Sequence, residues 1–259
     1  MVQELMTPSL FRIAELAGAE FVFLDLEHTS WSLETLRGVI AGGSGTELAS
    51  FVRVPDARYH LVSRVLDMGA TGVMIPSCEG EDEARAAVRW AKYPPAGVRG
   101  FGLPRYELEP GGVGATCARA NEEQVVIVQI ETLTGLEDVE RIAAVEGVDV
   151  LWIGHFDLSA SLGVPGEFDS PTFLQAVDRV VAAAEAESKA LGVMAGSVAD
   201  ARGWIDRGFR CIAYSIDAWL YEEALRAGLA ELRSATAPRS RRGTPGSARR
   251  SRRARPARS

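Results

Sequence analysis

The chain has 259 residues, of which 47% are apolar, and carries a formal net charge of −7 at pH 7. This length and apolar content suit one large α/β domain, and no apolar run approaches the roughly 20 residues of a membrane-spanning helix. The first residues show no secretory signal pattern, and the three cysteines form neither a zinc motif nor a disulfide framework. We therefore expect a cytoplasmic protein without membrane spans.

Charge is unevenly distributed along the chain. Residues 234–259 contain nine arginines and no acid, so the rest of the chain is much more acidic than the net charge suggests. A strongly acidic body argues against a nucleic-acid enzyme, and the basic tail is the only hint of such a partner. Because the tail has almost nothing apolar to bury, we predict a folded domain over residues 1–233 and a disordered tail over 234–259.

Apolar runs alternate with amphipathic segments throughout the body of the chain. Strands are predicted at residues 2–5, 21–27, 48–55, 72–76, 125–131, 148–153, 192–196 and 209–216. Helices are predicted at residues 8–18, 32–42, 58–69, 80–93, 136–145, 171–191, 198–208 and 219–233. A segment rich in proline and glycine, residues 93–121, interrupts this rhythm and is predicted to be a long functional loop.

Eight strand–helix pairs in a chain of this length indicate an α/β fold with a closed (β/α)8 TIM barrel. An open doubly wound sheet is the alternative, but no G-x-G-x-x-G motif follows the first strand. In a barrel of this kind the active site lies at the carboxyl ends of the strands. The polar residues at those ends are Asp25, Glu27, His28, Arg53, Gln129, Glu131 and Asp157.

Glu131 and Asp157 follow two strands that are consecutive in the sequence and therefore predicted to be neighbours. Adjacent parallel strands lie about 4.8 Å apart, so both carboxylates can reach one ion. Carboxylate oxygens completed by water suit Mg²⁺ or Mn²⁺, whereas zinc would require histidine or cysteine. Each acid taken alone could equally be a helix cap or a salt-bridge partner.

Three residues are candidates for catalysis, His28 with its partner Asp25, and Arg53. Asp25 precedes His28 in a tight turn, and a carboxylate bonded to one ring nitrogen would make the other nitrogen a base. Arg53 offers a planar donor for a carboxylate or an oxyanion, although a structural ion pair with one of the same acids is the alternative. The two lysines, Lys92 and Lys189, fall in helices or at their ends, which disfavours a Schiff-base mechanism.

Six segments carry a resemblance to a known family. They are LDLEH at 24–28, VRVP at 52–55, GVMIP at 72–76, YPPAGVRGFG at 93–102, VQIET at 128–132 and IGHFDLSASLG at 153–163. Together they resemble the HpcH/HpaI aldolase/citrate lyase family, and within it the metal-dependent 4-hydroxy-2-oxo-acid (pyruvate) aldolases. The resemblance covers roughly residues 2–233.

This resemblance implies a barrel of the phosphoenolpyruvate/pyruvate-binding type, assembled as a homo-oligomer and often as a hexamer that exchanges its last helix. It implies an aldehyde-lyase that requires Mg²⁺, Mn²⁺ or Co²⁺ and acts on a 2-oxo acid and an aldehyde. The implied roles are metal ligation by Glu131 and Asp157, catalysis by His28 with Asp25, and substrate binding by Arg53, Gln129, Phe156 and Asp157.

The chain departs from the family pattern in three respects. His155 stands where many members have proline, the helix that usually precedes the first strand is missing, and the arginine tail has no counterpart. Two other functions stay open at this point. They are a citrate-lyase-like enzyme acting on a CoA thioester, and an inactive barrel with a binding role.

Overall fold

The computed structural model describes residues 1–102 and 108–236, and the strands and helices up to Tyr221 form an α/β barrel. Seven parallel strands lie in sequence order, each hydrogen-bonded to the next. They are β1 (Phe21–Asp25), β2 (Ala49–Arg53), β3 (Gly72–Ile75), β4 (Val125–Ile130), β5 (Val150–Ile153), β6 (Ala190–Ala195) and β7 (Cys211–Tyr214). The predicted fold class is therefore confirmed.

Helices connect successive strands, as the right-handed crossovers of a parallel sheet require. They are α1 (Leu10–Leu16), α2 (Leu33–Gly42), α3 (Tyr59–Asp67), α4 (Glu81–Ala91), α5 (Gly112–Glu123), α6 (Leu133–Glu137), α7 (Val139–Ala143), α8 (His155–Ser161), α9 (Pro171–Ala186), α10 (Val198–Asp206) and α11 (Asp217–Thr236). The side chains of Ser32, Ser170 and Ser197 accept hydrogen bonds from backbone N–H groups in the first turns of α2, α9 and α10.

The strands are apolar on both faces because each face is buried against a different core. One core lies between the strands and the helices, and includes Leu24, Val52 and Leu151. The other fills the barrel interior, where Phe23, Phe51, Ile127, Trp152 and Met194 pack together. Successive side chains of a strand point to opposite faces, so residues two positions beyond these interior side chains also face the inside of the barrel.

The predicted first strand, residues 2–5, is reduced to a single parallel bridge between Val2 and Leu24. The backbone N–H groups of Gln3, Glu4 and Leu5 donate instead to the carboxylate of Asp217, at 2.6 to 3.4 Å. The backbone N–H of Asp217 in turn donates to the carbonyl of Met1 at 3.0 Å. This segment thus joins the first strand to the end of the last and takes the place of an eighth strand.

Two further predicted segments differ from the structure. The proposed loop at 93–121 contains α5, which was missed because its sequence begins with glycines and only Thr116 is buried. The single helix predicted at 136–145 is two short helices, α6 and α7, separated at Asp138. The carboxylate of Asp138 accepts a hydrogen bond from the backbone of Glu81 at 2.9 Å, which ties this junction to the start of α4.

The chain forms two units, Met1–Tyr221, which holds all seven strands, and a second from Glu222 onward. In the described residues the second unit is the remainder of α11, which continues past the predicted boundary at residue 233. The predicted disorder of the arginine-rich tail falls on residues that lie, from 237 onward, outside the described range. No helix in the described ranges is long and apolar enough to cross a membrane.

Candidate active site

The barrel interior changes from apolar to polar at the carboxyl ends of its strands. Asp25, Arg53 and Gln129 each lie two residues beyond an interior side chain, Phe23, Phe51 or Ile127, on the same face of their strand. All three polar side chains are buried. The alternation of the strands therefore brings these predicted residues to one end of the barrel.

Arg53 and Asp25 form a buried bidentate ion pair. Arg53 Nε donates to Asp25 Oδ1 at 2.9 Å, and Nη2 donates to Oδ2 at 2.7 Å. Burial would raise the pKa of Asp25, but the hydrogen bonds and charge of Arg53, with a hydrogen bond from Gln3, lower it below its usual range. Burial likewise opposes the charge of Arg53, yet the pair with Asp25 raises the pKa of the guanidinium. Both groups are therefore ionised at neutral pH.

The predicted hydrogen bond between Asp25 and His28 is wrong. The carboxylate of Asp25 instead accepts hydrogen bonds from Arg53, from Gln3 Nε2 at 2.6 Å and from the backbone N–H of Glu27 at 3.0 Å. The carboxylate beside His28 is that of Glu27, whose Oε2 lies 3.7 Å from His28 Nε2 and 3.1 Å from Arg53 Nη1. His28 itself is 57% exposed at the rim of the site.

Glu131 lies just beyond β4 with its side chain buried. Its Oε1 accepts hydrogen bonds from the backbone N–H and the hydroxyl of Ser77, at 2.7 and 2.9 Å. Its Oε2 accepts a short hydrogen bond from Gln129 Nε2. Burial raises the pKa of Glu131, and the charge of Asp157 raises it further, against the hydrogen bonds from Ser77. A cation at this point would relieve that unfavourable buried charge.

Gly154 fits closely against the same carboxylate. A Cβ atom at Gly154 would overlap Glu131 Oε2 and would lie 2.6 Å from Gln129 Nε2. A glycine is therefore required between the end of β5 and the start of α8. It lets the backbone that leads to Asp157 run directly over the Gln129–Glu131 hydrogen bond.

Asp157 lies in the first turn of α8, a helix that was not among those predicted from the sequence. Its side chain is exposed, and its charge acts on Glu131. The first N–H groups of a helix have no acceptor within it, and in α8 these include the N–H groups of Phe156 and Asp157. Both residues line a cavity of about 330 Å³, the main cavity, which His28, Arg53 and Gln129 also line.

The donors at this site fit a hard divalent cation. Glu131 and Asp157 offer carboxylate oxygens only, the ligand type that Mg²⁺ and Mn²⁺ prefer. Gln129 Oε1 is buried without a hydrogen-bond partner in the described part of the chain, whereas Glu27 Oε2 is paired with the Arg53 guanidinium. No group of three or more His, Cys, Asp or Glu side chains suited to a metal occurs among the described residues. Substrate and water would therefore have to complete the coordination.

Two residues at the site were missed by the sequence analysis. Ser77 follows β3 in a left-handed conformation, with φ of 45°, and this aims both its N–H and its hydroxyl at Glu131. Gln3 binds Asp25 from the N-terminal segment. The position of Ser77 at a strand end was a usable signal, whereas the reach of Gln3 depends on how the barrel closes.

The two lysines lie away from this end of the barrel. Lys92 Nζ donates to the backbone carbonyls of Asn121 and Gln124, at 2.8 and 2.5 Å, before the start of β4. Lys189 Nζ donates to the carbonyl of Val145 at 3.2 Å, before the starts of β5 and β6. Neither amine is placed to form an imine in the main cavity.

Two acids lie beyond neighbouring strands, and one of them, Asp157, lines the main cavity together with the Arg53 guanidinium. This arrangement is typical of enzymes that stabilise a negatively charged intermediate. The chain belongs to the HpcH/HpaI aldolase/citrate lyase family, whose model matches residues 3–224. This confirms the family indicated by the sequence motifs.

Curated relatives and solved structures agree with this assignment. The chain is 35% identical over 213 residues to the 5-keto-4-deoxy-D-glucarate aldolase of Salmonella paratyphi C, covering 82% of this chain and 83% of the relative. An HpcH/HpaI aldolase structure from Desulfitobacterium hafniense superposes with a TM-score of 0.84 at 29% identity, covering 90% and 91% of the two chains. A family member from Burkholderia cenocepacia gives 0.82 at 33% identity, covering 90% and 93%. The predicted lyase class is thus confirmed.

Proposed function

We propose that this protein is a divalent-metal-dependent class II aldolase. It reversibly cleaves a 4-hydroxy-2-oxo acid to pyruvate, or a related 2-oxo acid, and an aldehyde. The observation that carries the proposal is the buried carboxylate of Glu131. Burial and the nearby Asp157 disfavour its negative charge, whereas Arg53 favours it, and a bound cation would compensate it. The aldolase relatives support the reaction type.

Glu131 and Asp157 would hold the metal, and Ser77 and Gln129 orient the Glu131 carboxylate. When bound, a divalent cation supplies a Lewis acid for the keto and carboxylate oxygens of the 2-oxo acid and stabilises the charge of the enolate. Mg²⁺, Mn²⁺ and Co²⁺ are the proposed ions. The backbone N–H groups of Phe156 and Asp157 and the side chain of Gln129 would bind the carboxylate of the substrate.

His28 is the proposed base. In cleavage it takes the proton of the 4-hydroxyl group, the bond between C3 and C4 breaks, and the aldehyde leaves with the hydroxyl oxygen as its carbonyl. The electron pair of the broken bond remains on the 2-oxo acid as an enolate, which Arg53 stabilises through its positive charge. Protonation at C3 then gives the methyl group of pyruvate. Asp25 acts by fixing the plane of the Arg53 guanidinium, and Glu27 is the carboxylate that can orient His28.

The proposed substrate is a 4-hydroxy-2-oxo acid, the chemical class to which the substrate of the curated relatives belongs. A 5-keto-4-deoxyglucarate has a keto group next to one carboxylate and a hydroxyl two carbons beyond it, so it is a 4-hydroxy-2-oxo acid. We also propose a cytoplasmic homo-oligomer, as a hexamer. Leu225, Leu229 and Leu232 form an exposed apolar stripe on α11, as expected of a helix that packs on another subunit.

A direct assay tests the proposal. Synthetic 4-hydroxy-2-oxo acids are incubated with the protein and each of the three metals, and released pyruvate is measured with lactate dehydrogenase. We expect turnover that EDTA abolishes and that added metal restores. Failure to release pyruvate with every metal and every substrate tried would contradict the aldolase assignment and favour a binding role for the barrel.

A further inference from the structure

A second, smaller cavity adjoins the main cavity. It has a volume of about 140 Å³ and is called the side cavity below. Four residues line both cavities, namely His155, Phe156, Met194 and Trp219. The two cavities are therefore neighbours that share one wall, and a substituent that passes between these side chains would enter the side cavity.

The walls of the side cavity are mainly aromatic. The ring of His155 lies 4.4 Å from that of Phe156 and 5.1 Å from that of Phe168, centroid to centroid, and the two phenylalanine rings meet edge to face at 5.3 Å. Trp204 lies 6.1 Å from His155 and closes the far side. An apolar cavity of about 150 Å³ is large enough to bind benzene in a protein interior. The side cavity thus has the size and the lining for one phenyl ring.

Charge in this region disfavours an acidic substituent. Among the described residues that line the side cavity, the one with a formal charge is Asp200. In the main cavity, the one arginine that the described residues contribute is Arg53, which already pairs with Asp25 and Glu27. A second carboxylate of the substrate that entered the side cavity would meet Asp200, with no cationic side chain among the described residues that line it.

We propose that the side cavity receives the substituent of the aldehyde, and that this substituent is a flat, uncharged group about the size of a phenyl ring. The inference rests on the proposed aldolase function and specifies its aldehyde partner. It separates this chain from the Salmonella relatives, whose named substrate carries a second carboxylate.

The reaction used to test this inference is aldol addition. A base removes one proton from the methyl group of pyruvate, and the enolate carbon forms a bond with the carbonyl carbon of benzaldehyde. The carbonyl oxygen takes up one proton, so the product is 4-hydroxy-2-oxo-4-phenylbutanoate and nothing is oxidised or reduced. Succinic semialdehyde is the comparison substrate because its chain ends in a carboxylate.

Gly196 offers a way to fill the side cavity. It lines that cavity, and a Cβ atom built on it would meet no heavy atom within 4 Å. Its N–H donates to Asp200 Oδ2 at 2.9 Å, a hydrogen bond that any other residue except proline retains. Gly196→Ala should therefore add a Cβ atom without a clash, and Gly196→Leu should extend a larger side chain from the same lining position of the cavity.

The measured quantity is the ratio of kcat/KM for benzaldehyde to kcat/KM for succinic semialdehyde. We expect the wild-type protein to favour benzaldehyde, and Gly196→Leu to lower the ratio by about tenfold or more, the usual discrimination of an apolar pocket. Intrinsic reactivities of the two aldehydes cancel when the variant is compared with the wild type. Gly38→Leu, on α2 with open space around its Cβ, is the matched control and should leave the ratio unchanged.

A wild-type preference for succinic semialdehyde would overturn the inference, as would a ratio that stays within about twofold in both Gly196 variants. If Gly196→Leu does not fold, the smaller decrease expected for Gly196→Ala remains the test. Products from small or carboxylated aldehydes alone would refute the inference and leave the aldolase function standing. If no aldehyde reacts, and pyruvate shows no metal-dependent exchange of its methyl protons, the proposed function itself has failed.

Discussion

Arg53 and Asp25 face each other across two neighbouring strands and join their side chains through two parallel hydrogen bonds. Their Cα atoms are partners in the register of β1 and β2, and the side chains are 6% and 0% exposed. This geometry fixes the plane of the guanidinium and leaves Nη1 beside Glu27. Arg53 is thereby held in position before any substrate binds, which is the arrangement that electrostatic stabilisation of an enolate requires.

Asp25→Asn should destabilise the fold by about 3 kcal/mol at pH 7, because it removes the bidentate partner of the buried Arg53 charge and leaves only the Glu27 carboxylate beside it. The pKa of Asp25 is lowered in the folded state. Its contribution is therefore present above the pKa of an unfolded aspartate, about 3.9, and is lost as pH falls through the folded value. Urea unfolding from pH 7 to pH 3 should show this acid-dependent loss in the wild type and a shallower one in the variant.

Asp56→Asn is the matched control for that experiment. The Asp56–Arg58 pair has the same 2.7 Å separation but is solvent-exposed on both sides, so water screens it. Asp56→Asn should therefore change the free energy of unfolding little. Equal losses for the two variants would show that the Asp25–Arg53 pair contributes no more than a surface ion pair.

Glu131→Gln should stabilise the metal-free protein. The pKa of Glu131 is raised by burial and by Asp157, so its ionised form is disfavoured in the folded state and costs stability as pH rises above the unfolded value. Gln129, whose Oε1 lacks a partner among the described residues, can turn its amide and accept from the new side chain. We expect an increase in Tm of about 2–4 °C without metal, the change that about 1 kcal/mol produces in a chain of this size.

The same variant should lose the stabilisation that metal confers. Mn²⁺ or Mg²⁺ should raise the Tm of the wild type but not that of Glu131→Gln, because the charged ligand is gone. A lower Tm without metal would mean that the hydrogen bonds from Ser77 outweigh the buried charge. An undiminished metal effect would remove Glu131 from the set of ligands.

Gly154→Ala should weaken metal binding, because a methyl group would displace the Gln129–Glu131 pair. Changes that disturb the orientation of metal ligands typically cost about 10- to 100-fold in affinity. Titration with Mn²⁺ followed by electron paramagnetic resonance would measure the Kd directly. Gly203→Ala on α10 is the control, because its added Cβ atom would meet no heavy atom within 4 Å. Identical Kd values for the two variants would show that this close packing does not support the site.

The sequence was sufficient to predict the barrel and most of the residues at the end of it. Alternation of apolar strands and amphipathic helices determines the fold, and the period of two along a strand places Asp25, Arg53 and Gln129 inside. Which carboxylate binds which base could not be predicted. Asp25 and Glu27 are only two residues apart. The register of β1 with β2 places Asp25 opposite Arg53, with which it forms the bidentate ion pair, and Glu27 lies beside His28.

Short helices and backbone conformations were also beyond the reach of sequence patterns. α8 has only seven residues, too few to show a helical period, yet it determines where Asp157 lies. Ser77 acts through a left-handed backbone that no residue preference announces, since serine seldom adopts it. The metal ligands Glu131 and Asp157 were predicted from strand order alone, whereas the residues that support them depend on these local turns.

His28→Ala should lower the rate of aldol cleavage by roughly 10²- to 10⁴-fold, the usual contribution of a positioned acid or base. Metal and pyruvate binding should be nearly unchanged, because Glu131, Asp157 and Arg53 supply those contacts. Glu27→Gln should give a smaller loss of the same kind, since Glu27 is the carboxylate beside His28. Cleavage assays combined with Mn²⁺ titration would check this. Wild-type turnover by His28→Ala would exclude it as the base, and a loss of metal binding would make it a ligand.

The central claim is that Glu131 and Asp157 hold a divalent metal that allows an enolate of pyruvate to form in the main cavity. It is tested most directly by the exchange of pyruvate methyl protons with deuterium in D₂O, followed by proton NMR without any aldehyde. We expect exchange in the wild type with Mg²⁺ or Mn²⁺, none after EDTA, and at least a 10²-fold decrease in Glu131→Gln and Asp157→Asn. Exchange that continues at the same rate after extensive chelation, or in both variants, would contradict the claim.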